Sequence, residues 1–201
     1  MSGAFIVVEG ADGVGKGTQL PMLVDRLRAE GREVVATFEP GATSLGRTLR
    51  EVLLERDAVD PVAEALLMAA DRAQHLAEVV RPALARDAVV VCDRFLPSSL
   101  VYQGVARGLG VELIDELNAP AVQATPPDLV VVLDVPDAVA DARRVADDDR
   151  FEREADTFHR QVRQAYRDLA AARGWVVIDG QGTPVAVHAR VWEVVAVIAS
   201  G

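Results

Sequence analysis

Short runs of valine and isoleucine, apolar on consecutive positions, recur along the chain and limit its fold more than any other feature. They are AFIVVEG from residue 4, REVVATFEP from 32, AVVVCDR from 88, LVVVLDV from 129 and WVVIDG from 175. Strands that are apolar at every position are typical of a parallel sheet covered by helices on both faces, whereas half-exposed strands alternate polar and apolar residues. The runs therefore predict buried parallel strands.

Helical patterns separate these runs. After the first run a helix is expected to end at Gly31, with a local distortion at Pro21, because proline removes a backbone N–H. Further helices are predicted over 44–56, 61–86, 111–119, 137–146, 151–173 and 184–199. The alternation predicts an α/β three-layer sandwich with a five-stranded parallel sheet, a single domain over residues 1–201, and a ligand site at the carboxyl ends of the strands.

Composition narrows the class of protein. The 201 residues carry a net charge of -10, which is opposite to the basic surface of a protein that binds a nucleic acid polymer. A single cysteine, Cys92, rules out a disulfide framework and favours a reducing compartment. No signal peptide and no apolar run of membrane-spanning length is visible, so a cytoplasmic protein without a membrane partner is predicted.

A glycine-rich loop follows the first run. Gly10, Gly15 and Lys16 match the spacing G-x-x-x-x-G-K between a strand and a helix, the context in which this motif binds phosphate. The glycines let backbone N–H groups converge on an anion, the helix N-terminus adds its positive dipole, and the lysine reaches the outer phosphates. We therefore predict a P-loop NTPase fold that binds a nucleoside triphosphate, which the resemblance given below implies is ATP. The predicted ATP-binding residues are Gly10, Ala11, Asp12, Gly13, Val14, Gly15, Lys16, Gly17 and Thr18.

The position after the lysine usually supplies a hydroxyl to Mg²⁺, and here it is Gly17. Thr18 does not simply replace that hydroxyl, because one step along a helix turns a side chain by about 100°. Asp12 in the loop and Asp93 at the end of the third run are the available carboxylates. We predict that they hold Mg²⁺, directly or through water.

Together with this loop, the blocks TFEPGATSLGRTLR, LLMAADRAQHL, CDRFLPSSLVYQG, LDVP and DRFERE resemble bacterial thymidylate kinases in order and spacing over nearly the whole chain. The second and third of these blocks make the resemblance specific, because many P-loop kinases share the glycine loop. The resemblance implies phosphoryl transfer from MgATP to dTMP, giving dTDP for dTTP biosynthesis. It also implies a homodimer, a monophosphate site and a lid.

Phosphoryl transfer requires cations that converge on two anionic substrates. Arg94 leaves the end of a buried strand, and Arg50 and Arg72 lie on predicted helices near other strand ends. The resemblance implies that these arginines bind the acceptor phosphate, for which a planar guanidinium is suited. The alternative for each is a surface salt bridge. Arg94 is predicted to be catalytic, together with Lys16 and Asp12.

The lid corresponds to a polar segment at about residues 143–154, which could also be a solvated loop. The resemblance implies that Arg150 and Arg153 close onto the transferring phosphoryl group. Relatives whose glycine loop lacks an arginine supply one from the lid, and Gly13 stands where other relatives carry that arginine. The alternative lid residues are Arg143 and Arg144.

The substrate-binding residues depart from the resemblance at the base. Met68 stands where the family has a thymine-stacking phenylalanine, and Phe38 replaces an arginine before Glu39 and Pro40. Methionine can lie on a ring but orders it less, and Phe38 either offers an aromatic face or lines the strand end as a core residue. The resemblance implies hydrogen bonds to the pyrimidine edge from Ser98, Ser99 and Gln103, with Tyr102 excluding a ribose 2′-hydroxyl.

Two alternatives remain open beside a dTMP kinase. Met68 and Phe38 favour a kinase for another nucleoside or deoxynucleoside monophosphate. A nucleotide-binding protein with decayed catalysis is the second, although Lys16, Asp93 and Arg94 are all retained. A P-loop switch or partition ATPase would need a guanine-reading motif or a basic surface, and the sequence has neither.

Several polar residues carry no predicted role in the reaction. His75, His159 and His188 lack metal-ligand spacing and are expected to be solvated or partly packed. Glu64, Asp71 and Glu78 are expected to decorate helix faces. The dimer contact is predicted along the helical region 61–86 and the DRFLPSS segment.

Overall fold

The computed structural model describes residues 3–55, 59–143, 150–151 and 154–199. In these ranges, five strands form one parallel sheet in the order β2-β3-β1-β4-β5. The strands are β1 (Ala4–Glu9), β2 (Val34–Phe38), β3 (Val89–Asp93), β4 (Leu129–Asp134) and β5 (Val176–Asp179). Each coincides with one of the apolar runs, so the predicted five-stranded parallel sheet is confirmed.

Helices connect the strands and cover both faces of the sheet. The α-helices are α1 (Lys16–Ala29), α2 (Ser44–Glu55), α3 (Pro61–His75), α4 (Arg81–Leu84), α5 (Leu96–Ser99), α6 (Val111–Val122), α7 (Asp137–Arg143), α8 (Asp156–Arg173) and α9 (Pro184–Ala199). Two π-helical segments, Leu76–Val80 and Leu100–Ala106, continue α3 and α5. Within the described ranges, no helix is long and apolar enough to cross a membrane.

Three helix predictions need correction. The predicted helix 61–86 is a helix, a π-helical segment and a short helix, because the π turns shift the hydrogen-bond register before Pro82. Residues 96–106 are helical although the sequence analysis assigned no helix there. Helix α8 begins at Asp156, later than the predicted 151. Pro21 lies inside α1, which is continuous from Lys16 to Ala29.

The core is divided by the sheet, and the central strands supply both halves. Ile6 and Val8 of β1 join the cluster on one face, whereas Phe5 and Val7 join the cluster on the other. All six residues of β1 are buried. Burial on both faces explains why the strand sequences are apolar at consecutive positions.

The sheet positions the functional residues by ending three strands side by side. In register, Asp93 of β3 lies opposite Val8 of β1 on one side and Phe38 of β2 on the other. The backbone continues this pairing beyond the strands, since Arg94 N donates to the Val8 carbonyl at 3.1 Å and Glu39 N to the Asp93 carbonyl at 3.0 Å. The loops after β1, β2 and β3 therefore meet at one edge, as expected for ligand sites in parallel sheets.

Candidate active site

The glycine loop, residues 10–18, joins β1 to α1 and is shaped by close backbone contacts. A Cβ atom at Gly10 would lie 2.4 Å from the Leu133 carbonyl oxygen, and one at Gly13 would lie 2.5 Å from the Ala140 carbonyl oxygen. Both glycines also have positive φ, 133° and 81°. Glycine is therefore required at both positions.

Lys16 lies along this loop. Its Nζ donates to the carbonyls of Gly10 at 2.7 Å and Ala11 at 3.1 Å, and the residue is 8% exposed. Burial, with the positive charge of Arg94 adding to it, lowers the pKa of Lys16 to about 8. The ammonium group is thus held at the mouth of an anion-binding loop, where phosphate oxygens can replace its carbonyl partners.

Position 17 is open. A Cβ atom at Gly17 would meet no atom within 4 Å, and both Gly17 and Thr18 are exposed. The missing hydroxyl is therefore not a consequence of crowding in the loop.

Asp12 links this loop to the segment after β3. Arg94 Nη2 donates to Asp12 Oδ1 at 2.6 Å, and the Tyr102 hydroxyl donates to Asp12 Oδ2 at 3.3 Å. Burial opposes the charge of Asp12, but Arg94 and then Lys16 hold the pKa of its carboxyl below the usual value. The charges of Lys16, Arg94 and Asp12 are thus gathered where the glycine loop meets the segment after β3.

Arg94 has a left-handed backbone, with φ at 64°, which costs a non-glycine residue about 1–2 kcal/mol. Glu9 holds this turn, because its Oε1 accepts from the backbone N–H groups of Phe95 at 2.8 Å and Ser98 at 3.2 Å. Glu9 Oε2 accepts from the hydroxyls of Ser98 at 2.7 Å and Tyr166 at 2.8 Å. Glu9 is fully buried, and burial raises its pKa against the opposing effects of Arg94 and these donors.

Asp93 lies beside Arg94 at the end of β3 and lines a cleft next to the glycine loop. Its Oδ1 is buried and has no hydrogen-bond partner in the protein. The described residues contain no group of three or more histidine, cysteine, aspartate or glutamate side chains that could form a metal cage.

A cleft of about 230 Å³ opens next to the loop. It is lined by Asp12, Phe38, Glu39, Pro40, Arg50, Leu54, Met68, Arg72, Asp93, Arg94, Phe95, Ser98, Ser99, Tyr102, Gln103 and Phe151. All the predicted substrate-binding residues are therefore brought to one cavity. Asp12 belongs to both the loop and the cleft, so the two compartments share a wall.

Arg72 is fixed in the wall of the cleft with 2% of its surface exposed. Its guanidinium contacts Glu39 through Nε at 3.0 Å, donates to Ser99 Oγ at 3.0 Å and donates to Asn118 Oδ1. The alternative of a surface salt bridge is wrong for this residue. On the far side of Glu39, the fully buried His75 contacts its Oε1 through Nδ1 at 2.7 Å, which corrects the expectation of a solvated or partly packed histidine.

The other predicted acceptor-side residues are more accessible. Arg50 Nη1 donates to the Pro40 carbonyl at 2.8 Å, and its guanidinium carbon lies 5.9 Å from the centre of the Phe38 ring. Phe38 is 44% exposed, so of the two expectations for it the core position is wrong. Met68 is half-buried against the core and lines the cleft.

Arg150, one of the two predicted lid arginines, contacts α2 and α3 in this structure. Its Nη2 donates to Glu64 Oε2 at 2.6 Å and its Nε to the Leu53 carbonyl at 3.1 Å, and it is 8% exposed. No described contact joins it to the glycine loop. Arg143 donates to the Gly180 carbonyl at 3.3 Å. Arg144, Arg153 and most of the predicted lid lie outside the described residues.

Sequence reasoning missed the buried acids that organise the site. Glu64 and Asp71 were expected on helix surfaces, yet they are 0% and 1% exposed. Glu64, Met68 and Arg72 are spaced at four-residue intervals and therefore lie on one face of α3. This spacing is the one sequence pattern that could have predicted that Glu64 faces the cleft residues. No comparable signal marks Glu9 or Tyr166, since they lie 157 residues apart in the chain.

Comparisons with known proteins agree over nearly the whole chain. The family model described as "Thymidylate kinase" matches residues 8–191. A thymidylate kinase of Synechococcus sp. (strain JA-2-3B'a(2-13)) is 52% identical over 193 residues, 95% of this chain and 93% of that protein. One from Halothermothrix orenii is 43% identical over 199 residues, 96% of each chain. The crystal structure of a thymidylate kinase from Ehrlichia chaffeensis superposes with a TM-score of 0.81 at 30% identity, covering 97% of this chain and 100% of that one.

Proposed function

The chain belongs to the thymidylate kinase family, and on that premise we propose that it transfers the terminal phosphoryl group of MgATP to the 5′-phosphate of dTMP, giving dTDP and ADP. The observation that carries this proposal is the position of Asp12. It belongs to the glycine loop, while its carboxylate is held by Arg94 and Tyr102 of the neighbouring cleft. A donor in the loop and an acceptor in the cleft would therefore meet at one point.

The protein's contribution to such a transfer is positioning and charge neutralisation. Lys16 is placed to bind the outer phosphates of the donor, because it already lies across the loop that cradles them. Arg94 is placed to bind the acceptor phosphate by exchanging its contact with Asp12 for phosphate oxygens. Its backbone is fixed by Glu9 during that exchange.

We propose that Asp93 and Asp12 hold Mg²⁺ together with the phosphates of ATP. The partnerless buried Oδ1 of Asp93 suits a direct or water-mediated contact, and the absence of a protein cage among the described residues suits an ion that keeps several waters. Asp12 would first release Arg94. When bound, Mg²⁺ neutralises charge on the β- and γ-phosphates. If Asp93→Asn and Asp12→Asn both leave the Mg²⁺ dependence of turnover unchanged, this assignment is wrong.

For the base, Ser98, Ser99 and Gln103 remain our predicted hydrogen-bonding residues, and all three line the cleft. Tyr102 lines it as well and remains our prediction for the residue that excludes a ribose 2′-hydroxyl. Met68 in place of an aromatic residue favours the second candidate, a kinase for another nucleoside monophosphate. Phe38 is the exposed aromatic side chain of the cleft wall and can supply an apolar surface there.

The experiment that tests the function is ADP release from MgATP with dTMP, dUMP, dCMP, dGMP, AMP and UMP as separate acceptors. Preference for dTMP supports the proposal, and preference for another acceptor moves the function to the second candidate. ATP binding without turnover on any acceptor would support a nucleotide-binding protein with decayed catalysis.

Arg153 remains our prediction for a lid arginine that reaches the phosphoryl group, since Arg150 is engaged by Glu64 in this structure. Comparing Arg153→Met with Arg150→Met separates the two residues. Loss of turnover in the first, with loss of stability in the second, would support this assignment.

We also propose a homodimer. Val62 and Leu66 of α3, with Leu45 of α2, are 45%, 49% and 46% exposed, and they extend the predicted contact of region 61–86 onto α2. The DRFLPSS segment instead lines the cleft, with Phe95 fully buried, so it offers little surface for that contact. Light scattering should give a dimer for the wild type and a monomer for Leu66→Glu.

A further inference from the structure

Glu64 is a buried carboxylate that the proposed reaction does not use. It lies in the first turn of α3 with 0% exposure. Its Oε1 accepts from Gln103 Nε2 at 2.7 Å. Its Oε2 lies 2.6 Å from Arg150 Nη2 and 3.5 Å from Arg107 Nε. One oxygen thus faces a glutamine amide and the other faces two guanidinium groups.

This arrangement decides the orientation of the Gln103 amide. A carboxylate beside two guanidinium groups offers hydrogen-bond acceptors to its neighbours. The side chain of glutamine ends in one donor group and one acceptor oxygen, and only the NH₂ group can face such a partner. Turning the amide by 180° would set its carbonyl oxygen against a buried negative charge, which is costly in a desolvated site.

The fixed amide leaves a defined group for a ligand. Gln103 lines the cleft beside Ser99 and Met68, and it is 1% exposed. Because its NH₂ group is committed to Glu64, its carbonyl oxygen is the atom available to a bound base. A carbonyl oxygen accepts from the N3–H of thymine or uracil, whereas N3 of cytosine is itself an acceptor.

We propose that Glu64 is a specificity-determining positioning residue, which selects a pyrimidine with an imide N–H over cytosine by holding the Gln103 amide in one orientation. This inference rests on the proposed function of the cleft. Glu64 touches neither substrate in this scheme, and it acts through Gln103. This selection should be strong, because with cytosine the carbonyl oxygen of Gln103 and N3 of the base are both acceptors and no proton lies between them.

The test compares wild type with Glu64→Gln for dTMP and dCMP, measuring both kcat/KM and the dissociation constant by calorimetry. A glutamine at position 64 can present either a donor or an acceptor, so the Gln103 amide becomes free to turn. We expect the dTMP to dCMP ratio to fall by about tenfold or more in both measurements. A ratio that stays within twofold of the wild type would overturn the proposal.

The matched control is Arg107→Met, which removes a cation beside the other oxygen of the same carboxylate and leaves the Gln103 bond intact. It should leave the ratio within about twofold, even where stability falls. An equal fall of the ratio in this control would also contradict the role of Glu64, because the effect would then not depend on the amide.

Two further arrangements keep the test decisive. If Glu64→Gln does not fold, the Gln103 side-chain NH₂ of the wild type is followed by ¹⁵N NMR, and it should remain protected from exchange with and without dTMP. Loss of that protection on binding dTMP would count against the proposal. If wild type does not phosphorylate dTMP, the proposed function fails, while the calorimetric ratio still tests the orientation of Gln103.

Discussion

Arg72 and Arg94 of the cleft are each held by a network around a buried glutamate. In the Glu39 network, Glu39 contacts Arg72 and His75; in the Glu9 network, Glu9 accepts from Phe95, Ser98 and Tyr166. Arg72 contacts Glu39 directly at 3.0 Å and is 2% exposed. Arg94 is separated from Glu9 by the hydroxyls of Ser98 and Tyr166, and its side chain is 22% exposed where it meets Asp12. The Glu39 network therefore fixes a guanidinium, whereas the Glu9 network fixes a backbone turn.

The difference gives the two arginines different roles, because the guanidinium of Arg72 is fixed and that of Arg94 can change partners. In the Glu9 network both hydroxyls donate to the carboxylate and turn their oxygens toward Arg94, with Nη1 lying 3.3 Å from Ser98 Oγ and 3.4 Å from Tyr166 Oη. These long contacts orient the guanidinium without binding it as strongly as a direct ion pair. A side chain held in this way can exchange hydrogen-bond partners. Arg72 cannot do so without leaving the buried carboxylate of Glu39 unpaired.

The largest expected effect is on stability, at Arg72. Replacing it with methionine leaves Glu39 buried without its ion pair, and the free energy of unfolding should fall by about 3–5 kcal/mol. Urea denaturation measures the loss, and the double variant with Glu39→Gln should recover part of it. If Arg72→Met has the same urea midpoint as the wild type, the ion pair of Arg72 with Glu39 does not stabilise the fold and the comparison with the Glu9 network fails.

The next effect is on turnover, at Arg94. Arg94→Met should lower kcat by about 10²–10³-fold, because the guanidinium that we propose binds the acceptor phosphate is lost. The free energy of unfolding should fall by less than in Arg72→Met, since the partner Asp12 is partly exposed and keeps Lys16 nearby. A large stability loss with a modest change in kcat would reverse the comparison.

Tyr166 tests whether the hydroxyls matter for orientation. Tyr166→Phe removes one of the four donors to Glu9, and we expect a loss of about 1–2 kcal/mol in stability. Arg94 also loses an acceptor, so kcat should fall more than KM changes. Steady-state kinetics and thermal unfolding measured together decide the matter, because a purely structural hydroxyl would lower the melting temperature and leave kcat at the wild-type value.

The last effect is the pH dependence of Asp71, a buried carboxyl near Glu39. Burial, with Glu39 adding to it, raises the pKa of Asp71 from 3.8 to about 6. The folded protein binds this proton more tightly than the unfolded chain, so the stability that Asp71 contributes is complete below about pH 4 and is lost as pH rises through 6. The free energy of unfolding of wild type should thus fall relative to that of Asp71→Asn between pH 4 and 7. A constant difference between the two curves would contradict this.

Local patterns predicted the sheet and the glycine loop because both are written in short stretches of sequence. The apolar runs specify strands buried on both faces, and the spacing of Gly10, Gly15 and Lys16 specifies the loop. Phe38, Glu39 and Arg94 line the cleft because they lie at strand ends, which a parallel sheet brings to one edge. Arg50, Met68 and Arg72 line it from helices, and for them the resemblance, not a strand end, was the main guide.

Buried charges were not predictable in the same way. Whether Glu64 faces solvent depends on Gln103 and Arg150, which lie 39 and 86 residues away in the chain. Burial of an ionisable side chain is favourable only when such partners arrive, and no local pattern reports their arrival. The contact of Arg150 with Glu64 was not predictable for the same reason, because its partner belongs to α3.

The open space at Gly17 has an evolutionary consequence. The Cβ of a serine there would meet no atom within 4 Å, and a single nucleotide change converts two of the four glycine codons to serine codons. The hydroxyl at this position can therefore be gained or lost without any compensating change in the loop.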